Sequence, residues 1–349
     1  KYGGASNEVD LPVLQATVRE LLSQPGEPSP TTSAAPKPAA FVVNGSGVDG
    51  AANLLLNGLS AAGYPRGEAT TAPALRPRTV VAYPPGQEVF ENTPESMRWA
   101  VGLGAAMVEV DVAPTKDGRM VLFHDWTVDC RTNGKGETRD LTLAQLKALD
   151  IGYGYTADGG KTFPLRGKGV GKMPTVEEGL AALPVHPILF NFKSNDAAEA
   201  DQLFAILKAA GRDSQKLGDA FYGGKAPVKR MRELLPANWS FDLKGEGQAC
   251  TKDYVKYGWT GIVPESCRNG VIVIPINYQW AFWGWPDRLI ARMDSVGARV
   301  IVLGPYASGK SNEGLTTPQQ LAKVPASFNG YVWVEDIREV GPALRPRQK

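Results

Sequence analysis

Between residues 79 and 335 the chain alternates short apolar segments with amphipathic segments of helical period, and this alternation is its strongest constraint on fold. Eight segments have the β-branched and aromatic composition typical of buried strands: residues 79–83, 107–112, 188–192, 219–223, 239–243, 271–276, 299–303 and 331–335. Helical patterns such as residues 197–211 and 286–297 lie between most of them. Strands joined by helical crossovers form parallel sheets, so the pattern predicts an α/β fold, a (β/α)8 barrel, with a doubly wound open sheet as the alternative.

The N-terminal part of the chain has a different organisation. Composition divides the chain into four predicted parts: an N-terminal helix (1–24), a linker rich in proline, serine and alanine (25–40), a small βα module with a second linker (41–76) and the barrel (77–349). Within the module we expect a strand at residues 41–45, a helix at 51–62 and a polar linker at 66–78. About thirty residues of it faintly resemble the small C-terminal domain of LytR-type cell-wall proteins.

Charge and hydropathy exclude two classes of protein. The chain carries 38 Lys and Arg against 36 Asp and Glu, a net charge of +2, which argues against a protein that binds nucleic acid through a basic face. Its most apolar stretch, residues 271–285, is interrupted by Pro275 and Asn277 and is shorter than the roughly 18–20 residues of a spanning helix. We therefore expect no transmembrane span and no nucleic-acid partner.

The three cysteines indicate the cellular compartment in which the protein works. Cys250 and Cys267 bracket a segment with few apolar anchors, and Cys130 stands apart. We expect a Cys250–Cys267 disulfide and an unpaired Cys130, with three buried thiols as the alternative. A disulfide would favour a periplasmic, cell-envelope or secreted protein.

A pair of carboxylates marks the first candidate site. Glu109 and Asp111 are two residues apart on a predicted strand, so their side chains point to the same face. At the carboxyl end of a barrel strand they would lie at the mouth where active sites form. Close carboxylates repel each other unless a cation joins them, which predicts a divalent metal site; a solvated strand end is the alternative.

One of the two histidines is a candidate acid or base. His124 follows the apolar run at residues 120–123 and precedes Asp125, close in sequence to the carboxylate pair. A histidine there can transfer protons at neutral pH, although a structural role is the alternative. His186 lies between two prolines, and we expect it to be structural.

Four motifs, taken in order, resemble the glycerophosphodiester phosphodiesterase family: residues 91–96, 108–125, 131–150 and 173–180. The resemblance is strong over residues 79–193 and weaker to about residue 346. It implies a (β/α)8 barrel that hydrolyses glycerophospho-alcohol diesters. It also implies a divalent cation, Mg²⁺ or Ca²⁺, held by three acidic ligands, and two histidines that act as acid and base.

The resemblance assigns roles to five residues that match the motifs. Glu109 and Asp111 match two metal ligands, and His124 matches the second catalytic histidine. Lys193 matches a basic residue that would bind phosphate, and Glu91 matches the acidic residue of a Glu-Asn-Thr motif.

Three positions depart from the family pattern. Tyr83 and Pro84 stand where the family has its first histidine and an arginine, and Asn191 stands where it has the third acidic ligand. A tyrosine has an ordinary pKa near 10 and cannot simply replace imidazole, although Tyr83 remains the candidate second catalytic residue. Asparagine keeps an oxygen but removes a negative charge, which should weaken binding of a hard cation.

These observations predict a barrel with an eroded active site, a catalytically weak or inactive extracytoplasmic protein that binds a phosphodiester or polyol or acts as a scaffold. It would need no cofactor, and its N-terminal segment could join a protein assembly. The alternative is an active phosphodiesterase that uses His124 and a divalent cation, Mg²⁺ or Ca²⁺.

Three further motifs are less specific. Residues 304–311 fit a nucleotide-binding phosphate loop, but the sequence after Lys310 is a poor start for a helix. The glycine-rich residues 167–171 follow no strand, which argues against a dinucleotide site. The aromatic residues 278–285 could stack on a sugar or headgroup, or simply pack.

Overall fold

The computed structural model describes residues 40–44, 60, 66–71, 80–82, 89–155, 161–306 and 314–344. The chain forms two compact units that separate between Gln87 and Glu88. The predicted N-terminal helix and linker, and most of the predicted helix at 51–62, lie outside the described residues. The division predicted between residues 76 and 77 stays a prediction.

The first unit contains a three-stranded sheet. Its strands are β1 (Ala40–Asn44), β2 (Arg66–Thr71) and β3 (Val80–Ala82), in the order β2-β1-β3. Strand β1 confirms the strand expected at residues 41–45. The polar stretch at 66–78 was expected to be a linker, but its first six residues form β2 and pair in parallel with β1. This pairing satisfies the hydrogen-bonding groups of the backbone, and it cannot be deduced from the polar composition of the segment.

The segment expected to be the first barrel strand also pairs with β1. Val80–Ala82 is extended, as predicted, but it runs antiparallel to β1, with Val81 opposite Val42. The described residues of this segment thus belong to the sheet of the first unit, and its expected place as the first barrel strand stays a prediction. The reason is that an apolar β-branched stretch predicts a strand without specifying its partner.

The second unit contains the other seven predicted strands and one strand that was not predicted, β5, in two sheets. The first sheet has the order β5-β4-β6-β7-β8 and the second the order β11-β10-β9. Their bounds are β4 Val108–Pro114, β5 Met120–Leu122, β6 Ile188–Phe192, β7 Ala220–Gly223, β8 Trp239–Phe241, β9 Val271–Pro275, β10 Arg299–Leu303 and β11 Tyr331–Val332. Neighbouring strands are parallel except β5, which turns back antiparallel along β4. Strands therefore follow each other in chain order within each sheet, as a β/α barrel requires.

Helices lie between these strands, close to the predicted positions. Their bounds are α1 Pro94–Gly102, α2 Leu143–Lys147, α3 Val176–Ala182, α4 Ala198–Ala209, α5 Ser214–Leu217, α6 Lys225–Leu234, α7 Gln248–Tyr257, α8 Asp287–Ser295, α9 Pro318–Leu321 and α10 Ile337–Val340. A π-helical turn, Leu243–Gly247, precedes α7. Short 3-10 turns occupy Thr138–Asp140, Gly258–Thr260, Glu265–Cys267, Gln279–Ala281 and Gly341–Ala343.

Local sequence explains where the helices nearest the site begin. Helix α1 starts with a capping box, in which the Thr93 hydroxyl accepts from the Ser96 amide and the Ser96 hydroxyl accepts from the Thr93 amide. Pro94 occupies the first turn, where its missing N–H costs nothing. Helix α3 begins in the same way with Thr175 and Glu178. These caps fix the loops that enter the candidate site.

Two apolar layers hold the second unit together. One cluster takes buried side chains from both sheets, which therefore share a single interior: Leu189, Ala220, Tyr222, Phe241, Val271, Val273, Ile301 and Leu303. A second cluster lies between the first sheet and helices α1, α3, α4 and α6, and includes Val110, Phe190 and Phe221. An interior of strand side chains with helices outside is the layering of a barrel.

The predicted disulfide is present. Cys250 and Cys267 are joined with their Cα atoms 4.6 Å apart, and Cys130 is free and exposed. The segment between the paired cysteines is better ordered than its composition suggested, because α7 buries Cys250 and Tyr254 in a cluster with β9 and α8. In the described part of the chain, no helix combines the length and apolar character needed to cross a bilayer.

Candidate functional site

Two neighbouring strands bring the predicted carboxylates together with their predicted partners. Glu109 and Asp111 lie on β4, and the β4–β6 register places Asn191 directly beside Asp111. Lys193 follows β6 immediately. The side chains of these four residues interact with one another, and we call them the carboxylate cluster; Asp111, Asn191 and Lys193 lie toward the end of the parallel pairing of the two strands.

The Asp111 carboxylate is almost fully buried and its oxygens are engaged by donors. Its Oδ1 accepts from Asn191 Nδ2 at 2.7 Å and from Lys193 Nζ at 3.2 Å. Its Oδ2 accepts from Asn92 Nδ2 at 2.9 Å. A buried carboxylate needs such partners, and here two amides and one ammonium supply them.

Glu109 has a different environment from Asp111. Tyr222, on β7, donates its hydroxyl to Glu109 Oε1 at 2.7 Å. Burial, followed by the nearby Asp111 charge, raises the pKa of Glu109 to about 8, against the lowering influence of Tyr222 and Lys193. Burial also raises the pKa of Tyr222 well above its usual value. Around neutral pH the pair therefore favours a protonated Glu109 beside a protonated phenol.

Sequence reasoning missed Asn92, which anchors the loop before α1 to the carboxylate cluster. Its side chain donates to Asp111 and also accepts from the Asp111 backbone N–H at 2.8 Å. Asn92 has φ of 55°, a left-handed conformation that asparagine tolerates better than most residues. Its place inside the Glu-Asn-Thr motif was the signal that could have identified it.

A second group of polar residues surrounds His124. The exposed imidazole contacts Asp125 Oδ1 through Nδ1 at 2.7 Å. Asp125 Oδ2 in turn accepts from Arg131 Nε at 2.8 Å. A carboxylate on one ring nitrogen orients the imidazole and leaves Nε2 available to exchange a proton with a ligand.

Arg131 and Tyr155 complete this histidine cluster, and neither was predicted as a site residue. Arg131 forms an ion pair with Glu91 and donates to the Tyr155 hydroxyl at 3.2 Å. The Tyr155 hydroxyl donates to Glu91 Oε1 at 2.9 Å. The Glu91 carboxylate is therefore occupied by Arg131 and Tyr155, and its expected role in binding phosphate stays a prediction. Arg131 falls in the motif at residues 131–150, which was its available signal.

The two clusters meet at one small pocket. Its lining consists of polar side chains from the histidine cluster, Asn92 and three apolar residues: Glu91, Asn92, Leu122, Phe123, His124, Arg131, Ile151 and Tyr155. Asn92 belongs to both groups, because it lines this pocket and binds Asp111. The Phe123 amide also donates to the Asp111 carbonyl. The structure thus places Glu91 and His124 at this pocket, and Asn92 links the pocket to the carboxylate cluster of Glu109, Asp111, Asn191 and Lys193.

Tyr83 and Pro84 lie outside the described residues. The strand that leads to them, β3, is paired with β1 in the first unit. The catalytic role expected for Tyr83 stays a prediction.

The donor set does not fit a hard divalent cation. Mg²⁺ and Ca²⁺ prefer several free carboxylate or carbonyl oxygens. Here Asn191 turns its amide nitrogen toward Asp111, and Lys193 places a positive charge on the same oxygen. Within the described ranges no group of three or more His, Cys, Asp or Glu side chains is arranged to hold a metal.

The arrangement can bind and polarise an anionic group. Lys193 is partly exposed and can contact a phosphate oxygen while it balances Asp111. His124 Nε2 can donate to or accept from the same ligand. No second histidine lies among the residues that line the pocket, so a proton relay between two imidazoles has no counterpart here.

The glycine-rich loop at residues 167–171 is structural. The buried Asp150 carboxylate accepts from the amides of Gly152, Gly167 and Gly169. Gly167 has φ of +82°, which side chains rarely adopt. This explains the glycines without a nucleotide. Residues 307–311 of the phosphate-loop motif lie outside the described residues.

Comparison with known proteins agrees with these features. The model of the glycerophosphoryl diester phosphodiesterase family matches residues 66–216. A glycerophosphodiester phosphodiesterase of Caldanaerobacter subterraneus subsp. tengcongensis is 48% identical over 69 residues, 20% of this chain and 28% of that protein. Glycerophosphodiester phosphodiesterase 1 of Bos taurus is 35% identical over 135 residues, 37% of this chain and 39% of that protein. The match thus spans well under half the length of either relative.

Solved structures show the same fold. The glycerophosphoryl diester phosphodiesterase domain of a Mycobacterium tuberculosis protein superposes with a TM-score of 0.53 at 16% identity, covering 72% of this chain and 92% of that domain. A glycerophosphodiester phosphodiesterase of Agrobacterium tumefaciens str. C58 has a TM-score of 0.50 at 18% identity, covering 72% and 93%. These proteins are (β/α)8 barrels, so the predicted fold class is confirmed. The family model, the relatives and the shared fold agree: residues 66–216 of this chain match the glycerophosphoryl diester phosphodiesterase family.

Proposed function

We propose that this chain is a catalytically weak or inactive member of the glycerophosphoryl diester phosphodiesterase family, which uses the barrel to bind a phosphodiester or polyol ligand or to serve as a scaffold. The observation that carries the proposal is the hydrogen-bonded state of Asp111. Asn92, Asn191 and Lys193 together engage its two oxygens. A carboxylate whose oxygens already accept hydrogen bonds from the protein is poorly suited to bind the cation that cation-assisted hydrolysis requires.

The proposal also follows from the charges around Asp111. At the position where the resemblance implies a third acidic ligand, Asn191 contributes no negative charge. The positive charge of Lys193, whose Nζ lies 3.2 Å from Asp111 Oδ1, balances the negative charge of Asp111. A divalent cation would have to displace Lys193 and turn the Asn191 amide, while an anionic phosphate could approach Lys193 without rearrangement.

A cation titration tests the proposal. We expect the parent protein to bind Ca²⁺ and Mg²⁺ only in the millimolar range or more weakly by calorimetry, and to hydrolyse glycerophosphocholine no faster than background. Asn191→Glu should bind Ca²⁺ at least about tenfold more tightly, because it supplies a third carboxylate. The same variant should gain thermal stability as Ca²⁺ is added, since a ligand that binds the folded state stabilises it. Gln215→Glu, the same charge change at an exposed residue of α5, is the matched control.

The competing candidate is an active phosphodiesterase, and the contact of His124 with Asp125 favours it. An imidazole held by a carboxylate is suited to act as general acid to a leaving alcohol. If the parent turns over readily and His124→Ala lowers kcat by about 10²–10⁴-fold, the eroded-site proposal is wrong. A parent without turnover, with His124→Ala unchanged and correctly folded, supports it.

We also propose that the protein works outside the cytoplasm, in the periplasm, at the cell envelope or after secretion. The Cys250–Cys267 disulfide supports this, because such bonds persist in oxidising compartments. An assembly through the N-terminal segment stays a prediction, because residues 1–39 lie outside the described chain.

Thiol labelling in the producing cells tests the compartment. After acid quenching and denaturation, we expect Cys130 to be alkylated directly and the other two cysteines only after reduction. Mass spectrometry of the three peptides gives the result, and Cys130 is the internal control. Direct alkylation of Cys250 and Cys267 at the level of Cys130 would place the protein in a reducing compartment.

A further inference from the structure

Exposed aromatic and aliphatic side chains gather on the segments that follow β8 and β9. Trp280 is 82% exposed, Ile262 is 72% exposed and Trp259 is 66% exposed. Trp283 and Tyr257 are about half exposed. We call these five residues the aromatic patch. Large apolar side chains exposed as a group mark interaction surfaces, whereas single ones do not.

Polar contacts hold the two segments of the patch together. The Trp283 indole N–H donates to the Val255 carbonyl at 3.3 Å, and the Tyr254 hydroxyl donates to the Trp283 carbonyl at 2.8 Å. Arg292 Nη1 donates to the Tyr254 hydroxyl and to the Gly258 carbonyl, both at 3.0 Å. The exposed side chains therefore project from a fixed backbone.

The Cys250–Cys267 disulfide closes the first of these segments. It joins α7 to the turn before β9, and both cysteines are fully buried in the core cluster that includes residues of β9 and α8. A preformed surface loses little conformational entropy when it binds.

The charges around the patch favour an anionic partner. Lys252 and Lys256 are exposed on α7, and Lys256 Nζ lies 4.9 Å from the centre of the Tyr257 ring. Asp253, whose charge acts on Lys256, also accepts from Ser266, and Glu265 pairs with Arg268. Lys256 also interacts with the side chain of Tyr257, and both lysines are exposed to external phosphates.

The residue types favour a lipid surface over a sugar. Tryptophan and tyrosine combine an apolar body with a polar edge and prefer the headgroup region of bilayers. Ile262 has neither a flat face for stacking on a sugar ring nor a hydrogen-bonding group, but it suits the boundary between headgroups and acyl chains. Exposed lysines beside such residues add attraction to anionic lipids.

We propose that the aromatic patch docks the protein peripherally on membranes that contain anionic phospholipids. Trp259, Ile262 and Trp280 enter the headgroup region, and Lys252 and Lys256 contact lipid phosphates. This docking does not depend on whether the barrel hydrolyses diesters, so its test is separate from the assays of Asn191 and His124.

Vesicle sedimentation with the full chain tests the proposal. We expect the parent to bind vesicles of phosphatidylcholine and phosphatidylglycerol more strongly than vesicles of phosphatidylcholine alone. Trp259→Ser with Trp280→Ser should lower the partition coefficient at least about tenfold on the anionic vesicles. Lys252→Gln with Lys256→Gln should lower it about fivefold per lysine, only on the anionic vesicles and less at high salt. Val170→Ser with Val185→Ser, exposed apolar positions elsewhere, is the matched control and should change nothing.

Quenching of tryptophan fluorescence by brominated lipids gives a second measurement on the unmutated protein, with quenching of the parent expected. The docking proposal fails if the parent binds neither kind of vesicle, or if the double tryptophan variant binds as the parent does. It also fails if the parent is a dimer that the tryptophan substitutions dissociate, since the patch would then belong to a second copy of the chain.

Discussion

Replacing Arg212 by leucine should lower the free energy of unfolding by about 3–5 kcal/mol, because it leaves a buried carboxylate without its partner. The Arg212 side chain is 3% exposed and forms two hydrogen bonds of 2.7 Å with Asp219. It also donates to the carbonyls of Leu183 and His186, which belong to the loop that enters β6. One guanidinium thus joins the loops before β6 and β7.

Urea unfolding measures this loss, provided that the dependence of the free energy of unfolding on urea concentration is the same for the parent and the variant. The matched control is Arg230→Leu, which removes an exposed arginine that bridges Asp201 and Glu233 on the protein surface. Exposed ion pairs contribute about 0–1 kcal/mol, so the control should remain close to the parent. Adding Asp219→Asn to Arg212→Leu should recover part of the loss, because the buried charge is removed. Equal losses of unfolding free energy for Arg212→Leu and Arg230→Leu would contradict a buried Arg212–Asp219 ion pair.

Replacing Glu109 by glutamine should make the protein more resistant to alkaline pH. The folded protein raises the pKa of Glu109 from 4.5 to about 8. Between those values the unfolded chain releases a proton that the folded protein retains, so the free energy of unfolding of the parent falls as pH rises. At about 1.4 kcal/mol per pH unit the total loss is at most about 5 kcal/mol. Below pH 4.5 both states are protonated and the loss disappears.

Stability curves of the two proteins from pH 4 to 9 give the measurement. Glu109→Gln keeps an oxygen to accept the Tyr222 hydroxyl and removes the titration. We expect the variant and the parent to have similar stability at about pH 5 and the variant to be several kcal/mol more stable at pH 9. Glu95→Gln, an exposed carboxylate in the first turn of α1, should follow the parent at every pH. Parallel curves for the parent and Glu109→Gln would show that Glu109 is ionised at neutral pH in the folded protein.

Several site residues could be found from the sequence because their spacing is local. Glu109 and Asp111 share a strand face, and Lys193 follows an apolar run that ends in Phe192. The resemblance to the family then linked these residues to His124 and Asn191. Strand alternation and motif order are short-range properties, and they survive even where individual residues have changed.

Tyr155 and Tyr222 could not be found in the same way. Tyr155 meets Glu91 across 64 positions of the chain, and Tyr222 meets Glu109 across 113. Both tyrosines are ordinary aromatic residues in their own segments. Only the packing of β7 and of the loop near residue 155 against the site brings their hydroxyls to the carboxylates.

The sequence by itself determined the alternation of strands and helices, the resemblance to the family, the disulfide pair and the residues that could carry chemistry. The tertiary structure decided which partners those elements found. It paired Val80–Ala82 with β1, buried Arg212 with Asp219, and engaged Asp111 with Asn92, Asn191 and Lys193. The physical reason is that a local pattern specifies what backbone a segment adopts and which face is apolar. The hydrogen bonds and charges that a segment must satisfy once buried depend on residues far away in the chain.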